Sequence, residues 1–329
     1  MRHKRSRFIL FATCALGLTL AQASEQDARA WLERMARAMD ELNYQGVFVH
    51  MHDGRAETLR VVHRNEGGRV AERLVSLDGV GREIISTQDE VQCILPDKRA
   101  VLVETRTDLN PLVSAVPIYS QTLDRHYRLR MMGMSRVAGR PTQNVAVLPR
   151  DSYRYGYLLW LDEATAMPLK SQLRDEDGNI VEQILFASIA FGDEIPRSAL
   201  QPSIDTDGYT WYRADEKSSA AARSGTTLWR AARVPEGFEL QVSNRQVLFG
   251  SRFPVEHLVY SDGLASVSVF VESAESDPDP LDGLSRVGAA NAYTTRVAGH
   301  QVTAVGEVPA STVEIIAESV QPQTLDARR

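Results

Sequence analysis

The sequence predicts an α+β protein of two units, and three observations carry that expectation. A helical stripe of apolar residues comes first, after which the apolar period switches from about 3.6 residues to about 2 and stays there through a series of turn signals. Around residues 193–226 the alternation stops in a stretch rich in Ser, Ala, Pro and charge; a shorter set of strands and a closing helix follow. At 329 residues the chain also exceeds the roughly 100 to 200 of one domain. Its 43% hydrophobic and 24% charged composition is that of an ordinary globular protein, which excludes collagen-like, coiled-coil and wholly disordered chains.

Residues 1–23 read as a secretory signal peptide. Arg2, His3, Lys4, Arg5 and Arg7 form a basic start, Phe8 to Leu20 a short apolar run, and Ala21-Gln22-Ala23 a small-residue cleavage site. The run falls short of the roughly 20 residues of a membrane span, and Phe11-Ala12-Thr13 ahead of Cys14 is a poor lipidation signal. Cleavage removes four of the 37 Lys and Arg and none of the 43 acids, so the net charge moves from −6 to −10. Such a chain has no basic field for nucleic acid and no simple attraction to an anionic membrane surface. Cys93 is then the one remaining cysteine, which rules out an internal disulfide; it shares a strand face with Val91 and Leu95, the setting of a buried inert thiol.

Ser24 and Asp27 have capping-box spacing, and Trp31, Leu32, Met35, Met39 and Leu42 recur at three and four, so 24–42 is a helix laid on a sheet. Val47, Val49 and Met51 alternate up to Asp53-Gly54 and 57–64 returns, a hairpin signal. Turn signals at Gly67-Gly68, Asp78-Gly79, Gln88-Asp89 and Pro96-Asp97 extend it into an antiparallel meander ending near Glu104. Residues 105–125, interrupted by Pro111 and Pro117, read as a long loop with a short helix, the kind of insertion that forms lids or binding loops; the alternative is a packed connector. The meander resumes at 126–136, turns at Ala138-Gly139 and continues through 144–148, 153–162, 168–174 and 180–191. After the linker, 229–240 turns at Pro235-Glu236-Gly237, 255–260 and 265–272 flank Ser261-Asp262-Gly263, and 293–308 turns at Gly299. Ser311 and Glu314 cap a last helix to about Val320, beyond which the tail frays. The units are thus 24–192 and 227–320, with 193–226 as linker and 321–329 as tail.

Searches for chemistry find little. There is no H-E-x-x-H, G-x-S-x-G, paired C-x-x-C, P-loop or G-x-G-x-x-G. His50 and His52 share one face of a strand and could present two imidazoles to a metal, with Asp53 and His63 on the same hairpin; the alternative is exposed polar histidines. Asp277, Asp279 and Asp282 precede Gly283, but Pro278, Pro280 and the missing downstream Glu make this an ordinary acidic loop rather than a calcium site. No catalytic, cofactor-binding or metal-ligating residue is assigned. In 153–162, Tyr155, Tyr157, Leu159 and Leu161 take one face while Leu158 and Trp160 take the other, which predicts burial on both sides. One face would pack on helices; the other would line a cavity for an apolar ligand, with Tyr155, Tyr157, Leu158 and Trp160 as candidate lining, unless the strand is simply sandwiched in a core.

A family resemblance runs in order along nearly the whole chain after residue 23. Asn43-Tyr44-Gln45-Gly46-Val47-Phe48-Val49, 72–79, Ser135-Arg136-Val137-Ala138-Gly139-Arg140-Pro141, Pro149-Arg150-Asp151, Arg154-Tyr155-Gly156-Tyr157 and 161–171 resemble the MucB/RseB family of periplasmic regulators of the envelope-stress sigma factor. Val234-Pro235-Glu236-Gly237-Phe238, 260–265, 268–272 and Val305-Gly306-Glu307-Val308-Pro309 continue it. The resemblance implies an N-terminal unclosed antiparallel β-barrel like the lipoprotein carriers and receptors, with helices on its concave side, and a smaller C-terminal α/β domain. It implies a periplasmic protein that binds the periplasmic domain of a membrane-spanning anti-sigma factor of the RseA/MucA kind and shields it from the site-1 protease. Lipid, lipopolysaccharide or lipoprotein acyl chains would release it, and self-association is a further expectation. No catalytic residues come with the resemblance. The runner-up is a periplasmic lipid or lipoprotein carrier, and a third reading is a secreted metal-dependent or hydrolytic enzyme.

Overall fold

The computed structural model describes residues 10–105, 123–192, 195–213, 229–247, 254–273 and 282–323. Helix α1 (Leu10–Glu41) leads into β1 (Tyr44–His52), β2 (Arg55–Glu66), β3 (Arg69–Ser76), β4 (Glu83–Ser86), β5 (Glu90–Leu95) and β6 (Ala100–Thr105). A single helical turn, α2 (Leu123–His126), precedes β7 (Tyr127–Val137), β8 (Arg140–Pro149), β9 (Gly156–Asp162), β10 (Pro168–Arg174) and β11 (Ile180–Phe191). The expected hairpins are present: Asp53 and Gly54 both take positive φ, 49° and 69°, as do Ala138 and Gly139 at 48° and 76°. That pair of left-handed residues matches the twist of the flanking strands.

β1 pairs with β11, Tyr44 opposite Phe191, so two arms of strands spread from this central pair. With β12 (Thr210–Arg213), the sheet order is β12-β6-β5-β4-β3-β2-β1-β11-β10-β9-β8-β7. β7 and β12 are its two ends, so the twelve-stranded sheet stays open. A bulge between Met131 and Met134 shifts the ladder of β7 on β8. The stripe of α1 lands where the spacing put it: Ala28, Leu32, Met35 and Met39 pack with Phe48, Leu59, Leu159, Leu161 and Phe186 of the sheet. A fully buried side chain of this size stabilises by roughly 1.5–3 kcal/mol, so this face holds the helix. Helix α1 runs through Ser24 from Leu10, so Ser24 is an interior residue and not the expected cap; the run ahead of it contains no proline to stop the helix.

Part of the expected linker belongs to the first unit. Ser203 donates its N–H and its hydroxyl to Glu83, Arg73 donates to the Ala199 carbonyl at 3.1 Å, and Arg64 donates to that of Ile195. Ile204 and Tyr209 cover Ile85, Ile94, Val101 and Val103, and β12 then pairs in parallel with β6, Thr210 opposite Ala100. All four residues of β12 are exposed, so it has no buried face to write an alternating pattern. Burial would raise the Glu83 carboxyl, yet the hydrogen bonds from Arg73 and Ser203 hold it below its ordinary range.

The second unit contains β13 (Trp229–Ala231), β14 (Glu239–Val247), β15 (Pro254–Ser261), β16 (Ser266–Ser273), β17 (Gly283–Val287), β18 (Ala290–Val297), β19 (His300–Gly306), α3 (Ala310–Glu318) and β20 (Val320–Pro322). Six strands form an antiparallel sheet in the order β14-β15-β16-β19-β18-β17, and β13 pairs with β20. Val313, Ile316 and Ala317 of α3 close its core over Leu258, Val267, Val269, Val302 and Ala304. The helix begins behind Pro309, whose φ of −53° already suits a helix start and whose side chain makes no capping bond. Ser311 therefore lies inside the helix, and Gln321 and Pro322 are held in β20 rather than frayed.

Candidate functional site

Charged and polar side chains meet where the two units touch. At one end of this seam stands Arg154, in the short stretch ahead of β9. Its side chain and that of Asp262, in the turn between β15 and β16, are each 0% exposed. Arg154 donates to Asp262 Oδ2 at 2.7 Å, to the Glu236 carbonyl at 2.6 Å and to Asp151 at 3.1 Å, and its guanidinium lies over the rings of Tyr127 and Phe238. Asp262 also accepts the Tyr127 hydroxyl at 3.0 Å, while its other oxygen accepts the Leu264 and Ala265 N–H groups. Burial first, and the Asp262 charge second, push the Tyr127 phenol far above its ordinary range, so it stays a donor. Around this ion pair, Asn291 donates to the Tyr155 hydroxyl at 3.0 Å and Thr312 of α3 donates to the Tyr153 carbonyl at 2.8 Å. Gly237 sits at φ 89°, and a Cβ there would land inside the His126 ring, so the backbone passes this close only as glycine.

The other end is built differently. His50 of β1 bonds the buried Glu182 of β11 through Nε2. Glu307 follows β19 in the second unit. Burial first, then the Glu182 charge, push the Glu307 carboxyl up to about 7, with His50 acting against the rise. The His52 ring lies 4.8 Å from that of His50, and Gly288, between β17 and β18, approaches within 3.4 Å of His52 Nδ1 by the position of its would-be Cβ.

The four candidate lining residues, Tyr155 just ahead of β9 and the other three on it, lie two on each face as expected. Tyr155 and Tyr157 belong to the buried core under α1; burial first, then the charges of Glu307, Glu182 and Asp262, raise the Tyr157 phenol. Leu158 and Trp160 point the other way and are half-buried rather than enclosed, with the Lys170 ammonium 4.3 Å above the Trp160 ring. Among the described residues no group of three His, Cys, Asp or Glu is arranged to hold a metal. His63 is at the far end of the hairpin from His50, stacked on Tyr44 at 4.7 Å. Cys93 is half-buried on β5. Residues 106–122 of the expected lid, and Asp277 and Asp279, lie outside the described residues. No helix among the described residues is long and apolar enough to cross a membrane. Arg154, Asp262, Glu182 and Glu307 were not singled out as site residues; a lone arginine inside the apolar run 153–161 is the signal that could have marked the first of them.

A surface cavity of about 960 Å³ lies elsewhere, lined by Arg64, Arg69, Arg197 and Glu66 among others. Arg197 and Glu66 already pair with each other across it.

Comparison with known proteins accounts for both units. Residues 27–204 match the MucB/RseB N-terminal domain and residues 223–321 the MucB/RseB C-terminal domain. The sigma factor AlgU regulatory protein MucB of Pseudomonas aeruginosa is 35% identical over 321 residues, 94% of this chain and 96% of its own. The sigma-E factor regulatory protein RseB of Escherichia coli is 29% identical over 89% of this chain and 90% of its own. Among solved structures, MucB in the Pseudomonas aeruginosa MucA/MucB complex superposes with a TM-score of 0.70 at 33% identity, covering 91% of this chain and 99% of that one. The first of the two matched domains ends at residue 204, inside the segment that packs back on the open sheet, and the second spans the six-stranded unit; with both in place, the chain belongs to the MucB/RseB family.

Proposed function

We propose that this chain is a periplasmic regulator of an envelope-stress sigma factor that acts by binding the periplasmic part of a membrane-spanning anti-sigma factor. It shields that partner from the site-1 protease and lets it go when a lipid-like ligand arrives. The observation that carries this reading is the likeness to MucB across both units, including the MucB chain solved together with MucA. The signal-like residues 1–23 support export to the periplasm. The role is one of binding, and no residue is assigned to catalysis.

Release by a ligand requires that the ligand prefer the partner-free form. An acyl chain of about a dozen buried CH₂ groups at about 0.8 kcal/mol each exceeds the roughly 5.5 kcal/mol needed to swing a two-state equilibrium almost completely. Because β9 separates the four candidate lining residues, such a chain would meet Tyr155 and Tyr157 on the α1 side or Leu158 and Trp160 on the other, not all four. The test mixes the chain without residues 1–23 with the soluble periplasmic segment of the cognate anti-sigma factor at low-micromolar concentration. Co-elution on gel filtration, slower cleavage by the site-1 protease and loss of both on adding acyl lipid are expected. Separate elution with unchanged cleavage would overturn the reading.

A further inference from the structure

Seven of the eight methionines fall within the described residues, and the fold sorts them by exposure. Met35 and Met167 are 0% exposed and Met39 5%, all three inside the core under α1. Met131 is half-buried against the same core, and Met51 is half-buried with its sulfur accepting the Gln183 amide at 3.9 Å. Met132 and Met134 differ: they are 40% and 59% exposed, on the strand that ends the open sheet. The backbone explains why two neighbours of a core residue stand in water. Met131 pairs with Val145 and Met134 with Gln143, so β7 spends three steps against two on β8. The extra residue takes Met132 and Gly133 out of the regular ladder, and the Gln143 side chain donates to the Met132 carbonyl at 2.7 Å. A Cβ on Gly133 would meet nothing within 4 Å, so solvent reaches the stretch between the two thioethers.

We propose that Met132 and Met134 are a site of reversible oxidation: each sulfur takes one oxygen atom from a peroxide, and methionine sulfoxide reductases take it off again. In the forward step a sulfur lone pair attacks one peroxide oxygen, and the S–O bond forms as the O–O bond breaks. With hydrogen peroxide the leaving hydroxide takes the remaining proton and departs as water. Sulfur loses two electrons and the peroxide gains them. In the return step two thiols become a disulfide and the oxygen leaves as water. The buried thioethers are spared, because an oxidant reaches them only when the fold opens. Oxygen at 132 and 134 turns two flexible apolar side chains into polar ones, and Arg130 and Arg136, exposed on the same strand, offer donors for it. The edge changes its chemistry while the core beneath it keeps its packing.

The experiment uses the full chain without residues 1–23, free of any partner, so its outcome does not depend on anti-sigma factor binding. Hydrogen peroxide is added at neutral pH, and peptide mass mapping follows the oxygen on each methionine with time. Met132 and Met134 should be oxidised about tenfold faster than Met35, Met39 and Met167, since susceptibility follows exposure. Met51 and Met131 should fall between. The urea midpoint of the chain oxidised at both positions should match that of the untreated chain, because no buried contact is lost. The two reductases that act on the two sulfoxide epimers, supplied with a dithiol, should return both peptides to their starting mass. The double variant Met132→Leu, Met134→Leu should keep the urea midpoint and lose the fast uptake of two oxygens, with the slow uptake elsewhere unchanged. Equal rates at all the methionines, uptake that begins at a buried one, or a urea midpoint that drops as the two oxygens arrive would overturn the site. So would sulfoxides at 132 and 134 that the reductases leave in place on the folded chain.

Discussion

At one end of the seam Asp262 accepts four hydrogen bonds, two from its own turn, one from Tyr127 and one from Arg154, and the guanidinium that neutralises it is fully buried beside it. At the other end His50 bonds Glu182, and burial together with the Glu182 charge pushes the Glu307 carboxyl up. Both ends bury charge at the same boundary. The first pairs opposite charges and meets every lone pair with a donor, which makes a fixed joint; the second lacks, among the described residues, a guanidinium of that kind, so its charge balance depends on pH. A boundary between units can thus be strongly paired at one side and sensitive to pH at the other.

The fixed end should be the harder to lose. Arg154→Met strips Asp262 of its counter-charge while leaving it buried and leaves the Glu236 carbonyl without its donor. Breaking one partner of a buried pair costs about 3–5 kcal/mol, so urea unfolding should shift to markedly lower denaturant. The double variant Arg154→Met, Asp262→Asn should cost less than the sum of the two single changes, and strict additivity would mean the pair is not coupled. Next comes Gly237→Ala, which puts a side chain at φ 89° and into His126. A loss of about 1–3 kcal/mol is expected, and His126→Ala in the same chain should recover the steric part but not the backbone strain. The smallest effect belongs to Tyr155→Phe, which removes the acceptor for Asn291 while Asn291 keeps its bond to the Val308 carbonyl at 2.7 Å. About 1 kcal/mol is expected by thermal unfolding, and an effect as large as that of Arg154→Met would place the anchor of the joint at Tyr155 instead.

The hairpins, the stripe of α1 and the strands on either side of Ser261-Asp262-Gly263 could be read directly, because each is written in residues a few positions apart. The seam could not. Arg154 and Asp262 are 108 positions apart and His50 and Glu182 are 132 apart, so their pairing exists only after two sheets have formed and docked. Strand β12 escaped for another reason: it pairs with β6 through its backbone while all four of its residues are exposed, and such a strand leaves no periodic trace. The helix start at Pro309 rather than Ser311 shows local signals competing, since a fixed φ begins a helix without any side-chain bond.

An open sheet leaves two ribbon edges, and an unguarded edge invites a second chain to add on and start a fibre. This molecule guards each in its own way. At the β6 side the sheet ends in β12, a piece of the same chain only four residues long, so the edge left open there is short. The edge at β7 carries a bulge at Met131–Met134 that breaks the spacing of its hydrogen bonds, together with Arg128, Arg130 and Arg136, all exposed. Another copy offering its own β7 would bring three more positive charges against them, so the opening of the barrel does not become a template for stacking one molecule on the next.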